Sequence, residues 1–578
     1  MMNDVLCFIY NCINPMKKHS STKSFLTPSD VSMYWNRLMS IVDEGTVALK
    51  RTAFSRNVTE ADDFSNALFD SNGTMLVQPS QGEVAFLGVM STEIKEFLKL
   101  YPKSMLRPGD VLLSNDPWLG ASQLNDYTMV APIFYLRKLV GFVACCAHSP
   151  DVGGRVLSSD STDIHEEGFI IPPSFLYRRG RENKDLFRFI RANVRVPEIV
   201  IGDFMAQLTS NNIVKQRVVE FLRETGLQNL KILSQEILTR SEKAINAVIE
   251  NLPDGEYQGE VEADGDDDPI LIKARITINR RKILVDFQGT SQQTSRGINV
   301  TFNWTYADAI HALLCVLRPD SPINAGSLKP ITVTAPAGCI LNAQYPAAVG
   351  ARVLVAHHIQ SAIFRALYEI LPNKVIADSA APTWVPVLSG INQYGKRFVE
   401  ILIVHGGIGA RPEKDGIVIA YPDHPPSTAV EIFENEKPVL VHRKEFVKDS
   451  AGAGRFRGGP GQYFSFEVKG DHELRFAMRA DRMFHPPMGM SNGLDGSVGR
   501  AVLNGSQVLH SKRTIFLNPG DRVELETPGG GGFFDPHTRM KTAVKKDIDD
   551  GIVSVEKAES LYGYQPGIDK LSSPPDYE

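Results

Sequence analysis

The sequence predicts an α+β protein of several domains, in which a mixed α/β N-terminal part with a helix pair precedes a β-rich region with interspersed helices. Three observations carry that expectation. Helical periodicity with capping signals occupies residues 27–52 and 203–252. Short apolar runs separated by glycine turns fill 64–173 and most of the chain beyond Gly255. At 578 residues, the chain is several times the size of one hydrophobic core.

Thr27-Pro28-Ser29-Asp30 sets a hydroxyl N-cap, a proline and an acid before the apolar series Val31, Tyr34, Leu38, Ile41, Val42, Val47 and Leu49, which predicts a helix to about Thr52. Residues 1–26 lack such periodicity and are expected as a mobile tail, with Met16-Lys17-Lys18 as the expected start of translation. Ala67-Leu68-Phe69 and Met75-Leu76-Val77 flank Asp70-Ser71-Asn72-Gly73, a hairpin signal, and Pro108-Gly109-Asp110 opens a strand at Val111. All of 64–173 is expected as strands and turns. The helical pattern of 203–252 breaks at Gly226 and stops at Pro253-Asp254-Gly255, which predicts an antiparallel helix pair. Alternation in 270–278 and 282–287 then predicts a hairpin, with helices expected at 306–317 and 352–370. The expected domains are 27–255, which holds the active site, a β-rich 256–540, a helical hairpin 541–565 and a tail 566–578.

Charge excludes some function classes. Lys plus Arg number 62 against 67 Asp plus Glu, a net charge of -5 with no long basic run, so neither nucleic acid nor an anionic membrane is the expected partner. Every apolar stretch is far shorter than the roughly 20 residues of a membrane-spanning helix. The six cysteines show neither CxxC spacing nor the density of a disulfide scaffold, which places the chain in a reducing compartment, the cytoplasm.

The residues richest in chemistry lie between 115 and 168: Asn115-Asp116-Pro117-Trp118, Gln123-Leu124-Asn125-Asp126, His148-Ser149-Pro150-Asp151 and His165-Glu166-Glu167-Gly168. An apolar strand over 139–147 delivers His148 to its C-terminal end, where a glycine-bearing turn leaves the imidazole facing a cleft. Imidazole with carboxylate oxygens suits Mn, Fe or Zn, but the same residues are ordinary turn chemistry, and no compact metal motif is present. The glycine-rich stretches 406–410, 452–461 and 529–532 contain no GxxxxGK[ST], so no nucleotide is expected to bind them, and they read as tight turns. Asp264-Gly265-Asp266-Asp267-Asp268 lacks the spaced ligands of a calcium loop and reads as a solvated hairpin loop. Cys145 and Cys146 sit in an apolar strand and read as small core residues.

The order of short motifs is specific. Arg51-Thr52-Ala53-Phe54-Ser55, Asp63-Phe64-Ser65, Asn115-Asp116-Pro117, Asp151-Val152-Gly153-Gly154, Asn193-Val194-Arg195, Asp286-Phe287-Gln288-Gly289, Asp449-Ser450-Ala451-Gly452, Arg457-Gly458-Gly459-Pro460-Gly461 and Thr527-Pro528-Gly529-Gly530-Gly531-Gly532 follow one another as in the hydantoinase B/5-oxoprolinase family. From Asp30 to about Tyr564 the chain resembles that family.

The resemblance implies the B-type subunit of an ATP-dependent cyclic amide hydrolase, working in a hetero-oligomer with an A-type subunit that binds ATP and phosphorylates the oxygen of a lactam or hydantoin. Two alternatives accompany it: a subunit of a ketone carboxylase of the acetone or acetophenone type, and a non-catalytic assembly subunit. The carboxylase branch of the family implies a divalent metal, and its ligand positions fall on Gln123, Asp126 and His148, with Gln123 standing where a histidine is usual. Phe86 likewise stands where histidine is common. Within this resemblance His148 and Asp126 are expected to hold a metal or orient water, Asp151 to fix the imidazole tautomer, and Glu167 to act as general base.

Overall fold

The computed structural model describes residues 26–80, 82, 84–319, 322–417, 427 and 429–566. Apart from Leu26, the expected N-terminal tail and the start at Met16 lie outside the described residues, as does the C-terminal tail from 567 onward.

The helix Pro28–Thr52 begins on the expected capping box, in which Thr27 and Asp30 each take the other's backbone N–H. Behind it lies a seven-stranded antiparallel sheet, in spatial order Met75–Val77, Phe64–Asp70, Lys138–His148, Asp126–Tyr135, Val111–Ser114, Ser174–Arg178 and Arg181–Glu182. Its central strands are buried on both faces, so successive side chains feed two cores. Val130, Ala144 and Cys146 enter one; Met129, Ala131 and Val143 enter the other. Helices Pro28–Thr52 and Pro197–Thr225 cover the second face, packed so closely that a Cβ on Gly45 would lie 2.5 Å from Val214. Polar groups on Pro197–Thr225 are buried because they work: Gln207 donates to the carbonyl of Tyr127 and Asn211 to that of Met129. The helix ends at Gly226, in the left-handed conformation at φ 73°, and the second helix of the expected pair is Lys231–Ile249.

The first face of the sheet is covered by Val84–Leu100, a helix lying in a stretch expected to be strands and turns, and Phe302–Leu317 packs against that helix. The apolar run around Val89 has the composition of a strand. Its buried positions Phe86, Val89, Met90, Ile94 and Phe97 nevertheless recur at helical spacing. The helix expected over 352–370 is divided at His357 into Val353–Ala356 and His358–Leu367.

Beyond Gly255 a four-stranded sheet runs Ile331–Thr334, Lys282–Asp286, Ile270–Asn279, Gly255–Ala263, and it shares its core with the first face of the seven-stranded sheet. Two more sheets, of four and five strands, enclose a separate core around Trp384, Phe466 and Phe476. Helices Lys541–Asp549 and Val555–Tyr562 form the expected C-terminal hairpin.

Two local readings are corrected. The glycine-rich stretches are not turns, since none of their glycines has a left-handed φ. They lie backbone against backbone: Gly459 donates to Ile408, Gly530 to Gly459 and Gly452 to Gly530 at 2.8–2.9 Å. A Cβ on Gly407 would fall 1.8 Å from the Gly459 carbonyl oxygen, so close approach rather than φ demands glycine. The acidic loop is not solvated at its start, because Asp264 is buried and accepts the backbone N–H groups of Met483, Phe484 and His485. Asp266 pairs with Arg296 and Arg513. No helix among the described residues is long and apolar enough to cross a membrane.

Candidate active site

Strand Lys138–His148 ends on His148, and its neighbour begins on Asp126, directly opposite in the antiparallel register. Cross-strand partners project to the same face, and Asp126 Oδ1 lies 2.7 Å from His148 Nδ1. A carboxylate only accepts, so Nδ1 carries a proton, and in the neutral imidazole Nε2 is the basic nitrogen. The strand end is held from outside: the His148 N–H donates to the carbonyl of Asp63, and the Asn57 amide donates to the His148 carbonyl.

Asp126 is buried, and its second oxygen lies 3.0 Å from Arg352 Nη2. The Arg352 guanidinium is set 3.7 Å over the ring of Trp304, which meets Phe86 edge-on at 5.7 Å. Phe86 thus completes an aromatic stack that places a cation on Asp126. Among the described residues His148 Nε2 has no hydrogen-bond partner, and His148 borders a cavity that is also lined by Asp63, Gln123, His357 and Arg479, together with the apolar Leu157, Val385 and Ile401.

Gly350 forms a support for this cavity. Its carbonyl accepts from Gln123 Nε2 at 2.7 Å and Arg479 Nη2 at 3.1 Å, while its N–H and that of Val349 donate to Glu167 Oε1. Burial pushes Glu167 up to about 8, so it is largely protonated at neutral pH. Glu167 does not line the cavity and acts on it only through the Gly350 peptide; the general-base assignment does not fit this position. Asp151 likewise has another task, accepting from Arg195 Nη1 at 2.8 Å and from the Gly153 N–H. The tautomer-fixing carboxylate is Asp126. A second buried carboxyl, Glu93, sits behind it and is pushed up to about 8 by burial, with the charges of Asp116 and Asp126 adding to the shift.

Gln123, Asp126 and His148 do come together, but they do not fit a Mn, Zn or Fe centre. One Asp126 oxygen faces an imidazole N–H and the other a guanidinium, and Gln123 directs its amide nitrogen to Gly350. Of these three residues that leaves one imidazole nitrogen as the strong donor, beside a fixed positive charge. Among the described residues, Asp266 and Asp267 of the 264–268 loop and His510 bring three ligand atoms within 4.8 Å of one another and could hold a divalent ion.

Sequence reasoning missed Asp63, Trp304, Arg352, His357 and Arg479. Two signals were available: Asp63 opens the Asp63-Phe64-Ser65 motif, and Arg352 directly follows Gly350-Ala351 in an apolar stretch, where a charge must be paired.

Comparison with known proteins agrees with this architecture. The family model described as Hydantoinase B/oxoprolinase matches residues 27–536. An uncharacterized protein of Methanocaldococcus jannaschii is 34% identical, over 90% of this chain and 93% of its own length. Caprolactamase subunit beta of Pseudomonas jessenii is 28% identical over 90% of this chain and 93% of its own. The crystal structure of the ATP-dependent caprolactamase from Pseudomonas jessenii superposes with a TM-score of 0.87 at 25% identity, covering 94% of this chain and 97% of that one.

Proposed function

The chain belongs to the hydantoinase B/oxoprolinase family, and from that premise we propose that, as the B-type subunit of an ATP-dependent cyclic amide hydrolase complex, it opens the activated ring with the His148–Asp126 pair as its base. The observation that carries this reading is the state of the imidazole: Nδ1 held by a buried carboxylate, Nε2 unpartnered at a cavity.

Amide resonance makes a lactam carbonyl a poor electrophile. Phosphorylation of its oxygen by the A-type partner gives a ring carbon doubly bonded to nitrogen and bearing a leaving group. Water attacks that carbon while His148 Nε2 takes its proton, and Asp126 stabilises the resulting imidazolium. His148 passes this proton to the ring nitrogen as C=N becomes C–N. The second proton follows the same route as the C–N bond breaks, leaving an amine and an acyl phosphate. A second water then releases phosphate and leaves the carboxylate. The apolar side of the cavity suits the ring methylenes. Free cysteines, three of the four described ones buried, suit a cytoplasmic complex.

The carboxylase alternative draws on the metal centre that Gln123 and Arg352 do not furnish, which favours hydrolysis. The test is ADP formation by the chain alone and after assembly with its A-type partner, across a panel of lactams and hydantoins. ADP and ring-opened product are expected only from the assembled complex with a cyclic amide present. ATP turnover by the isolated chain, or turnover driven by a ketone and bicarbonate, would overturn the reading.

A further inference from the structure

The cavity holds a cation that the His148–Asp126 pair does not use. Arg479 is 2% exposed and lines the cavity. Among the described residues it forms no ion pair: Nη1 and Nη2 reach only the carbonyls of Val385 and Gly350, at 3.4 and 3.1 Å, and Nε has no acceptor. Glu167, the carboxyl on the far side of Gly350, is largely protonated at neutral pH. Arg352 spends one nitrogen on Asp126 and leaves Nε and Nη1 without acceptors. Burial, and then repulsion from Arg352, lower Arg479 to about 9.

A buried guanidinium with unmet N–H groups is costly unless something supplies oxygens to it. Here two such groups converge on the cavity that His148 Nε2 borders. A carboxylate offers two coplanar oxygens; a phosphoryl group offers three in a tetrahedron and a second negative charge, the better match to two forks of N–H donors. We propose that Arg479, with Arg352 beside it, forms an oxyanion subsite that takes the phosphoryl group of the activated ring and so holds the ring carbon against His148. This deepens the hydrolase reading and rests on it for the identity of the ligand.

Calorimetric titration of the isolated chain with inorganic phosphate, and separately with acetate, tests the subsite without partner or lactam. Phosphate is expected to bind wild type and His148→Asn alike, to weaken at least tenfold in Arg479→Gln, and to recover in part in Arg479→Lys. Circular dichroism melts establish that each variant is folded. Equal phosphate affinity in wild type and Arg479→Gln, or no binding to wild type at millimolar phosphate, would overturn the proposal. Acetate binding as tightly as phosphate through Arg479 would also overturn it, in favour of a subsite for a substrate carboxylate. Arg479-dependent phosphate binding in a complex that opens no lactam would support the subsite while sinking the hydrolase reading.

Discussion

Two buried arginine clusters in this molecule contain similar groups and do different things. In the C-terminal part, Arg457 and Arg539 face Asp415 and Asp547: Arg539 bonds both carboxylates at 2.7–3.0 Å, and Arg457 bonds Asp547 at 2.8 Å. Two cations meet two anions, and the cluster closes on itself. Burial opposes the charge on Arg539, but the bonds from Asp415 and the attraction of Asp547 outweigh it and hold its pKa above the ordinary arginine value. At the end of the seven-stranded sheet, Arg352 pairs with Asp126 while Arg479 has no ion pair among the described residues, and Arg479 is shifted the opposite way. Chemically alike residues therefore mark a structural clamp where their bonds close and a binding site where they are left open beside a cavity.

Five tests bear on that contrast. The largest effect is expected from His148→Asn, which keeps the polar contact near Asp126 but removes the proposed base. Cyclic amide hydrolysis by the assembled complex should fall about 100- to 10,000-fold with the melting temperature of the chain nearly unchanged, read by product formation and a thermal melt. Unfolding of this variant would instead make His148 part of the clamp class. Next comes the clamp itself: Asp547→Ala leaves Arg457 and Arg539 short of a buried anion and should cost about 3–5 kcal/mol in denaturant unfolding. Arg479→Gln should leave stability unchanged or raise it while activity drops, because it removes a buried charge that has no ion pair among the described residues. Equal destabilisation by Asp547→Ala and Arg479→Gln would erase the contrast.

A smaller effect concerns pH. Glu93 and Glu167 are each pushed up to about 8 in the fold, against an ordinary glutamate value of 4.5. The folded state then holds protons that the unfolded chain has released, so their contribution to stability is full below 4.5, falls as pH rises and is lost by about pH 8. The slope is at most about 1.4 kcal/mol per pH unit for each group. Glu167→Gln should flatten it, measured as unfolding free energy against pH; an unchanged slope would place the proton elsewhere. Smallest of all is chelation: treating the isolated chain with a metal chelator should leave its melting temperature unmoved, since Asp126 is occupied by Arg352 and His148. A drop in melting temperature that added Mn or Zn restores would contradict the exclusion of a metal from this site.

Parts of the molecule that depend on neighbours in sequence were legible from the start. The capping box at Thr27, the break at Gly226, and the strand that delivers His148 are local patterns, and the pairing of His148 with Asp126 needs only one tight hairpin. Val84–Leu100 was missed because its composition suited a strand while its periodicity suited a helix. Asp151 is expected to fix the imidazole tautomer and Glu167 to act as general base, whereas their partners, Arg195 and the 349–350 peptide, are set by contacts far along the chain. Arg352 and Arg479 lie 226 and 353 residues beyond Asp126, and no periodicity reports that distance. The same holds for the glycine stretches, whose need for glycine arises from each other's carbonyls rather than from their own dihedral angles.

In the proposed mechanism His148 activates water after the partner has already phosphorylated the ring. Rapid-quench single turnover of the assembled complex carrying His148→Asn tests it most directly, with ADP, ring-opened product and phosphorylated ring followed together. The account predicts that ADP forms in a burst, ring opening stops and the phosphorylated ring accumulates. Ring opening at the wild-type rate in that variant would contradict it.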